Sequence, residues 1–280
     1  MSSSVPVPAA PSVLAPHRPV DNPVVSARSL TKVYGRGSGA VKALDAVNVD
    51  IARARFTAIM GPSGSGKSTL MHCLAGLDSV TSGEIMLDGD MVSSMSQRRL
   101  TRLRRERIGF IFQSFNLVPT LSASENITLP LDIARKKVNR QRFDQVVDAV
   151  GLKDRLSHRP AELSGGQVQR VACARALVGE PAVVFADEPT GNLDSHSTEQ
   201  VLEILRRSVN DLGQSVVMVT HEPEAAAWAD TVIFLRDGHV VAELADPNRD
   251  RVLDALRELS EADSAQTAAD AWAVTASKGA

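Results

Sequence analysis

The central part of the chain, Val24–Leu244, alternates short apolar runs with longer segments in which apolar residues recur every three or four positions. This alternation predicts layered α/β structure. The apolar runs predict strands at Arg55–Met60, Ile108–Phe112, Ala182–Ala186, Ser215–Val219 and Thr231–Leu235. The helical patterns predict helices at Lys67–Leu77, Asn139–Val150, Gln167–Val178 and Thr198–Val209. The run AVVFA at Ala182–Ala186 is apolar at every position, which is typical of a strand buried on both faces of a parallel sheet.

The two ends of the chain differ from this central part in composition. Residues 1–23 contain six of the 14 prolines, and residues 262–280 consist mainly of Ala, Ser, Thr and Asp. Such segments bury too little apolar surface to offset the entropy of ordering, so both are predicted to be disordered tails. Between the domain and the second tail, residues 245–261 place apolar side chains at helical spacing after Pro247. This segment predicts a C-terminal helix that packs on the domain or, alternatively, docks on a partner.

Composition and charge narrow the classes of function. Hydrophobic residues make up 43% and charged residues 23% of the chain, which is typical of a soluble globular protein with a full core. The formal net charge is −2 and aromatic residues make up 4%, so no nucleic-acid partner is expected. Cys73 and Cys173 cannot form a disulfide framework, and no apolar run reaches the roughly 18–20 residues that would span a bilayer. We therefore expect a protein of a reducing compartment that reaches a membrane only through a partner.

A phosphate-binding loop is the first motif that carries chemistry. Gly61–Ser68 has the pattern G-x4-G-K-[ST] and lies between an apolar strand and a helical segment, which is the context such a loop requires. Glycines let successive backbone N–H groups point at phosphate oxygens, and the helix N-terminus adds positive potential. Lys67 is expected to reach the β- and γ-phosphates, and Ser68 to bind Mg²⁺ through its hydroxyl. The residues assigned to nucleotide binding here are Gly61, Pro62, Ser63, Gly64, Ser65, Gly66, Lys67, Ser68 and Thr69.

Two adjacent acidic residues, Asp187 and Glu188, follow the apolar strand at Ala182–Ala186. Ligands of open α/β sheets bind at the carboxyl ends of the strands, so both side chains are expected near the phosphates. An aspartate in this place can hold Mg²⁺. Neighbouring carboxylates disfavour joint ionisation, so one of the two is expected to have a raised pKa and to act as a base.

A second glycine-containing helix start lies at Leu163–Gln167, with the sequence LSGGQ. Its N-terminus offers another place for an anion. A single chain with one phosphate-binding loop does not obviously need a second anion site. Two chains that face each other could use it, if the helix start of each chain meets the γ-phosphate bound by the other. The residues assigned to this contact are Ser164, Gly165, Gly166 and Gln167.

These motifs, in this order, resemble those of the nucleotide-binding subunits of ABC transporters, and the resemblance covers Val24 to about Leu244. The similar segments are GPSGSGKS (Walker A), Gln113 (Q-loop), LSGGQ (signature), VVFADE (Walker B), Asn192–Asp194 (D-loop) and His221 (switch histidine). Phe112–Leu131 and Ala186–Ser195 resemble most the lipoprotein-releasing and macrolide-export subgroup, with a small departure at Val168, where that subgroup more often has Gln. The resemblance implies an α/β fold of the P-loop NTPase class. This ABC-type nucleotide-binding domain would contain a RecA-like core, an antiparallel β subdomain and a helical subdomain at about 114–178.

The resemblance also implies roles for single residues. Glu188 would activate water, His221 would contact the γ-phosphate, and Gln113 would lie near the attacking water. Mg²⁺ would be held by Ser68, Gln113 and Asp187. Tyr34 would stack on adenine, and Asp194 would lie at the seam of the dimer.

At the level of the whole protein, ATP and Mg²⁺ are the implied cofactors. Two copies would enclose two ATP molecules and hydrolyse them to drive a separate integral membrane permease. The protein would then be cytoplasmic and peripheral on the inner face of the cell membrane, bound through the permease.

Other classes remain to be weighed. A soluble ABC-type ATPase of DNA repair would need long coiled coils between Walker A and the signature, and a translation factor would need two cassettes; the chain has neither. A non-hydrolysing regulatory module is opposed by intact Glu188 and His221. The six arginines in Arg98–Arg107 indicate either a surface for nucleic acid or anionic lipid or, more simply, a solvated helix. The transported substrate, and whether coupling serves transport or mechanical signalling, are not indicated.

Overall fold

The computed structural model describes residues 14, 15, 17 and 19–261, and the structural statements below refer to these residues. The strands, in chain order, are β1 (Val25–Tyr34), β2 (Val41–Ile51), β3 (Phe56–Met60), β4 (Ser82–Leu87), β5 (Asp90–Met91), β6 (Ile108–Phe112), β7 (Val183–Asp187), β8 (Val216–Val219), β9 (Thr231–Arg236) and β10 (His239–Ala245). The helices are α1 (Lys67–Leu74), α2 (Gln97–Arg107), α3 (Ala123–Ile133), α4 (Arg140–Ala149), α5 (Gly165–Leu177), α6 (Ser195–Leu212), α7 (Pro223–Ala226) and α8 (249–261).

The strands form two sheets. The smaller sheet is antiparallel, with the order β2-β1-β4-β5. The larger sheet has the order β10-β9-β3-β8-β7-β6, in which every pair from β9 to β6 is parallel and β10 is antiparallel to β9. The mixed α/β fold, with one mainly parallel and one antiparallel sheet, confirms the expected fold class.

Apolar cores cover both faces of the parallel sheet. On β3, Phe56 belongs to one core and Ile59 to the other. On β7, Val184 and Phe185 divide between the two cores in the same way, and both are fully buried. Because alternate side chains of a strand point to opposite faces, every position of such a strand must be apolar. The prediction of a doubly buried strand at this place is confirmed.

A group of helices, α3 to α5, lies within the segment predicted as the helical subdomain. The periodicity did not predict α3, which contains a proline at Pro130. This helix begins with a capping box, in which the Glu125 N–H donates to the Ser122 hydroxyl (3.2 Å) and the Ser122 N–H donates to the Glu125 carboxylate (2.7 Å). α5 lies directly on β6, since a Cβ atom at Gly109 would be 2.5 Å from the carbonyl oxygen of Ala176.

Residues outside the predicted domain also contact it. The backbone of Ala15 pairs with that of Glu243 in an antiparallel bridge, with N–O distances of 3.0 and 2.8 Å. The His17 ring contacts the Glu243 carboxylate and lies 3.8 Å from a carboxylate oxygen of Asp50. This part of the chain therefore differs from the disordered tail expected over 1–23, because it pairs with the free edge of β10. The remainder of that segment, 1–13, 16 and 18, and the predicted tail at 262–280 lie outside the described residues.

The helix expected at 245–261 is present as α8, and its residues Val252 and Ala255 are fully buried. None of the helices in the described part of the chain combines the length and the hydropathy needed to cross a bilayer.

Candidate functional site

The phosphate-binding loop lines a cavity of about 740 Å³ at the carboxyl ends of the parallel strands. Apart from Ser65, all residues from Gly61 to Thr69 line it, and Glu188 and His221 face it from the ends of β7 and β8. Ser65 is instead buried beneath the loop, where its carbonyl oxygen accepts a hydrogen bond from the Gly238 N–H at 3.0 Å. The structure thus brings together the loop, one acid of the pair and the switch histidine, which the sequence separates widely.

Glycine is required where the loop meets α1. Gly66 precedes the helix with φ of 101°, a left-handed conformation that other residues adopt only at a cost. A Cβ atom at this position would also lie 2.5 Å from the carbonyl oxygen of Ala43. The tight approach leaves the first N–H groups of α1 directed at the cavity, where a phosphate can accept from them.

The Lys67 ammonium is held inside the loop. It donates to the carbonyl oxygens of Gly61 (2.9 Å) and Pro62 (2.8 Å), and the residue is only 7% exposed. Burial lowers the pKa of Lys67, and the carboxylates of Glu188 and Asp187 oppose this effect. A cation with so little water around it attracts an anion more strongly than a solvated lysine does.

An oxygen-rich pair lies beside the loop. The Ser68 hydroxyl donates to Asp187 Oδ1 at 3.2 Å, and His72 Nε2 lies 3.7 Å from Asp187 Oδ2. Burial raises the pKa of Asp187. The raised pKa expected for one of Asp187 and Glu188 is therefore that of Asp187, the candidate metal ligand. Hydroxyl and carboxylate oxygens fit Mg²⁺, which typically takes one or two protein ligands and completes its shell with water and substrate phosphate. His72 was not among the predicted residues, although its place four residues after Ser68 puts both on one face of α1.

Glu188 and His221 form a second pair at the cavity. Glu188 Oε1 and His221 Nδ1 are 3.1 Å apart, although the residues follow different strands. Glu188 has φ of 44°, a left-handed conformation that is uncommon for a residue with a side chain and that is often found at functional sites. Its backbone is held by a hydrogen bond from its N–H to the carbonyl oxygen of Val219 (3.0 Å). A carboxylate fixed in this way beside an imidazole is suited to accept a proton.

Gln113 directly follows β6, the strand next to the one that carries Asp187. Its side chain lies against Gly191, where a Cβ atom would be 2.7 Å from Gln113 Nε2. The backbone carbonyl oxygen of Gln113 accepts a hydrogen bond from Asn192 Nδ2 at 3.1 Å. Among the described residues, Gln113 does not line the cavity, although the register of β6 against β7 pairs Phe112 with Asp187 and so places Gln113 beside the end of β7.

Tyr34 lies at the end of β1, outside the cavity wall. Its hydroxyl donates to Asp78 Oδ2 at 2.6 Å, and the Lys32 ammonium lies 4.7 Å from the centre of the ring. The residue is 43% exposed, so part of the ring is free to stack. The Lys32 ammonium also pairs with Asp78 at 2.7 Å, so the tyrosine hydroxyl and the ammonium bind the same carboxylate.

The signature segment and Asp194 form a separate surface. Ser164 starts α5 with a capping box, in which Gln167 N–H donates to its hydroxyl (3.3 Å) and Gln167 Oε1 accepts from its N–H (2.9 Å). Asp194 starts α6 by accepting from the Ser197 N–H (2.9 Å) and hydroxyl (2.8 Å), and this arrangement lowers the pKa of Asp194. The cavity, as lined by the described residues, does not include Ser164, Gly165, Gly166, Gln167 or Asp194.

Ser197 connects the two parts of this surface. It binds Asp194, and a Cβ atom at Gly166 would lie 2.4 Å from its hydroxyl oxygen. Sequence reasoning missed Ser197, because nothing in its own neighbourhood indicates a contact with α5.

Three of the arginines of α2 make polar contacts within the domain. Arg104 donates to the carbonyl oxygen of Gly76 (2.7 Å), Arg107 pairs with Asp88 (2.7 Å), and Arg102 pairs with Glu106 (3.2 Å). These contacts support the simpler interpretation of the stretch as a helix on the surface of the domain.

Comparisons with known proteins agree with this geometry. A family model described as ABC transporter matches residues 44–191, more than half of the chain. The chain is 48% identical over 220 residues to an uncharacterized ABC transporter ATP-binding protein, MJ1508, of Methanocaldococcus jannaschii, covering 78% of this chain and 98% of the relative. It is 45% identical over 223 residues to the macrolide export ATP-binding/permease protein MacB of Brucella melitensis, covering 79% of this chain but 34% of MacB.

Among solved structures, the dimeric ATP-binding cassette MJ0796, in a post-hydrolysis state with ADP and Pi, superimposes with a TM-score of 0.72. The two chains are 39% identical, and the match covers 80% of this chain and 99% of the other. The chain therefore belongs to the ABC transporter family, as one of its ATP-binding proteins.

Proposed function

We propose that this chain is the ATP-hydrolysing subunit of an ABC transporter of the export, lipoprotein-release or mechanotransmission type. In this proposal two copies close around two ATP molecules and drive a separate membrane permease from the inner face of the cell membrane. The observation that carries it is the cavity at which the phosphate-binding loop, the Ser68–Asp187 pair and the Glu188–His221 pair meet.

The phosphates of ATP are bound by the loop. Lys67 now donates to two loop carbonyls, and it needs only to turn toward the cavity to donate to phosphate oxygens. Ser68 and Asp187 would hold Mg²⁺, and the ion would supply charge neutralisation for the transferred phosphoryl group. His72 lies beside Asp187 Oδ2, the carboxylate oxygen that Ser68 does not bind, and would orient the carboxylate.

Glu188 is proposed as the base. It accepts a proton from the attacking water, whose oxygen forms the new bond to the γ-phosphorus while the bond to ADP breaks. His221, 3.1 Å from Glu188, positions the carboxylate and donates toward the γ-phosphate. A positioned base of this kind is typically worth about 10²–10⁴-fold in rate.

The second copy is proposed because the signature surface of a single chain lies apart from its own cavity. Ser164, Gly165, Gly166 and Gln167 present the start of α5, a place suited to an anion. A second copy, related by a two-fold axis, supplies this surface to the open side of the cavity. The similar cassette MJ0796 is described as dimeric, which supports this arrangement.

The permease is proposed as a separate chain. The relative MJ1508 is named an ATP-binding protein and is matched over 98% of its length, whereas MacB is named an ATP-binding/permease protein and is matched over 34%. The likeness to MacB and to the subgroup motifs supports an export-type partner.

The test is a pair of substitutions read by sizing with and without Mg-ATP. Glu188→Gln keeps the shape of the side chain but cannot accept a proton, so ATP should bind, hydrolysis should fall by about 10²–10⁴-fold, and a dimer should accumulate. Adding Ser164→Arg should abolish that dimer, because a long side chain then occupies the place of the opposite γ-phosphate. Wild-type hydrolysis by Glu188→Gln would exclude Glu188 as the base, and an ATP-dependent dimer in the double variant would exclude the two-fold sandwich.

A further inference from the structure

The C-terminal helix α8 packs back across the sheet toward the phosphate-binding loop. Val252 and Ala255 are fully buried, and Leu256 and Leu259 pack against the same core from its edge. A guanidinium nitrogen of Arg236 donates to the carbonyl oxygen of Leu259 at 3.0 Å, which fastens the last turn of the helix to the end of β9. The helix is therefore a fixed part of the domain.

Leu256 contributes to two cavities that share a wall. One is the nucleotide cavity, which Leu256 lines together with Gly61 and Pro62. The other is a smaller cavity of about 250 Å³ between α8 and the loop, lined mostly by apolar side chains, among them Phe234 and Leu259. Gly61 and Pro62 also line both cavities, so the helix and the first residues of the loop meet at the shared wall.

The loop is closely packed on the side of β9. A Cβ atom at Gly61 would lie 2.0 Å from the carbonyl oxygen of Leu235. Together with α8 on the other side of the small cavity, this contact determines where the loop begins.

The first turn of α8 contacts the segment that follows the switch histidine. Arg249 Nε lies 2.7 Å from Glu224 Oε1, and Glu224 belongs to α7, which begins two residues after His221. The pair is exposed and contributes little to stability by itself. The same helix thus contacts α7, which follows His221, and lines two cavities together with the start of the phosphate-binding loop.

We propose that α8 forms the outer wall of the nucleotide pocket and that Leu256 is a positioning residue for ATP. The inference rests on the proposed function of the cavity as the ATP site. Leu256 excludes water from one side of the cavity, and a drier site strengthens the attraction between Lys67 and the phosphates. The segment matched by the family model ends at residue 191, so α8 is a part of the site that the model does not include.

The experiment compares ATP affinity and steady-state hydrolysis for Leu256→Ala, Leu256→Met and a matched control, Leu253→Ala. Leu253 lies on the same helix, and it lines neither cavity in the described structure. Leu256→Ala should weaken ATP binding and raise KM about tenfold, the scale expected for lost apolar contacts in a pocket, with kcat within about twofold. Leu256→Met keeps most of the apolar bulk, so its affinity should remain within about twofold of the wild type.

Three results would overturn the inference. The first is that Leu256→Ala and Leu253→Ala both bind ATP with the wild-type affinity. The second is that both variants lose ATP affinity to the same extent. The third is that Leu256→Ala binds ATP more tightly than the wild type. Lys67→Ala separates this failure from that of the proposed function. If Lys67→Ala loses ATP while Leu256→Ala keeps it, only the role of α8 is wrong; if Lys67→Ala binds ATP normally, the assigned nucleotide site is wrong.

Discussion

Gly165 and Gly166 are neighbours in the first turn of α5, yet the structure gives them different surroundings. A Cβ atom at Gly166 would lie 2.4 Å from the hydroxyl oxygen of Ser197 and 2.9 Å from its Cβ, whereas a Cβ atom at Gly165 meets nothing within 4 Å. We therefore expect Gly166→Ala to displace Ser197 and Gly165→Ala to displace nothing.

The size of the effect follows from what Ser197 holds. Its hydroxyl and N–H bind the Asp194 carboxylate that caps α6, at 2.8 and 2.9 Å. Overpacking costs about 1–3 kcal/mol, and loss of a helix cap costs about 0.5–2 kcal/mol. Alanine in place of a helical glycine returns up to about 1 kcal/mol. Gly166→Ala should therefore lower the free energy of unfolding by about 0.5–4 kcal/mol, while Gly165→Ala should leave it unchanged or raise it by up to about 1 kcal/mol.

Urea unfolding followed by circular dichroism measures this difference. A second substitution, Ser197→Gly, removes both atoms that the new methyl group meets, so it should restore part of the stability of Gly166→Ala. The coupling in this double-mutant cycle should exceed about 0.5 kcal/mol. Equal free energies of unfolding for Gly165→Ala and Gly166→Ala would refute the close contact between α5 and α6.

Three further outcomes are expected. Lys67→Ala should weaken ATP binding about 30-fold or more, because truncating one partner of a buried charge pair costs about 2–5 kcal/mol; an unchanged nucleotide titration would contradict this. Deleting residues 262–280 should leave basal ATP hydrolysis within about twofold, since terminal segments without a core-forming pattern tolerate removal, and loss of folding would show the opposite. The hydrogen bond to Glu243 raises the pKa of His17, so its contribution to stability is complete below the unfolded pKa of about 6.5 and is lost as pH rises through the folded pKa. The stability deficit of His17→Gln should thus be present at about pH 6 and absent at about pH 9 in urea unfolding, and a deficit independent of pH would exclude this linkage.

The chemistry of the site was predicted where it depends on a short stretch of chain. The loop at Gly61–Ser68 and the helix start at Leu163–Gln167 follow from the residues themselves, because backbone conformation over a few positions determines them. The same holds for β7, where unbroken apolar sequence indicates burial on both faces. The strands of the antiparallel sheet had no such pattern: β1 mixes buried and exposed positions irregularly and changes register three times against β2. Only the resemblance to a known family led us to expect that sheet.

Contacts between distant segments were decided by the tertiary structure alone. Ser68 and Asp187 are 119 positions apart, and the approach of His72 to the same carboxylate depends on how α1 lies against the end of β7. The place of Leu256 at the nucleotide cavity depends in the same way on the path of α8 after β10. Such pairs are brought together by the packing of the whole domain, which depends on many small contacts between distant segments. A local pattern in the sequence does not indicate those contacts.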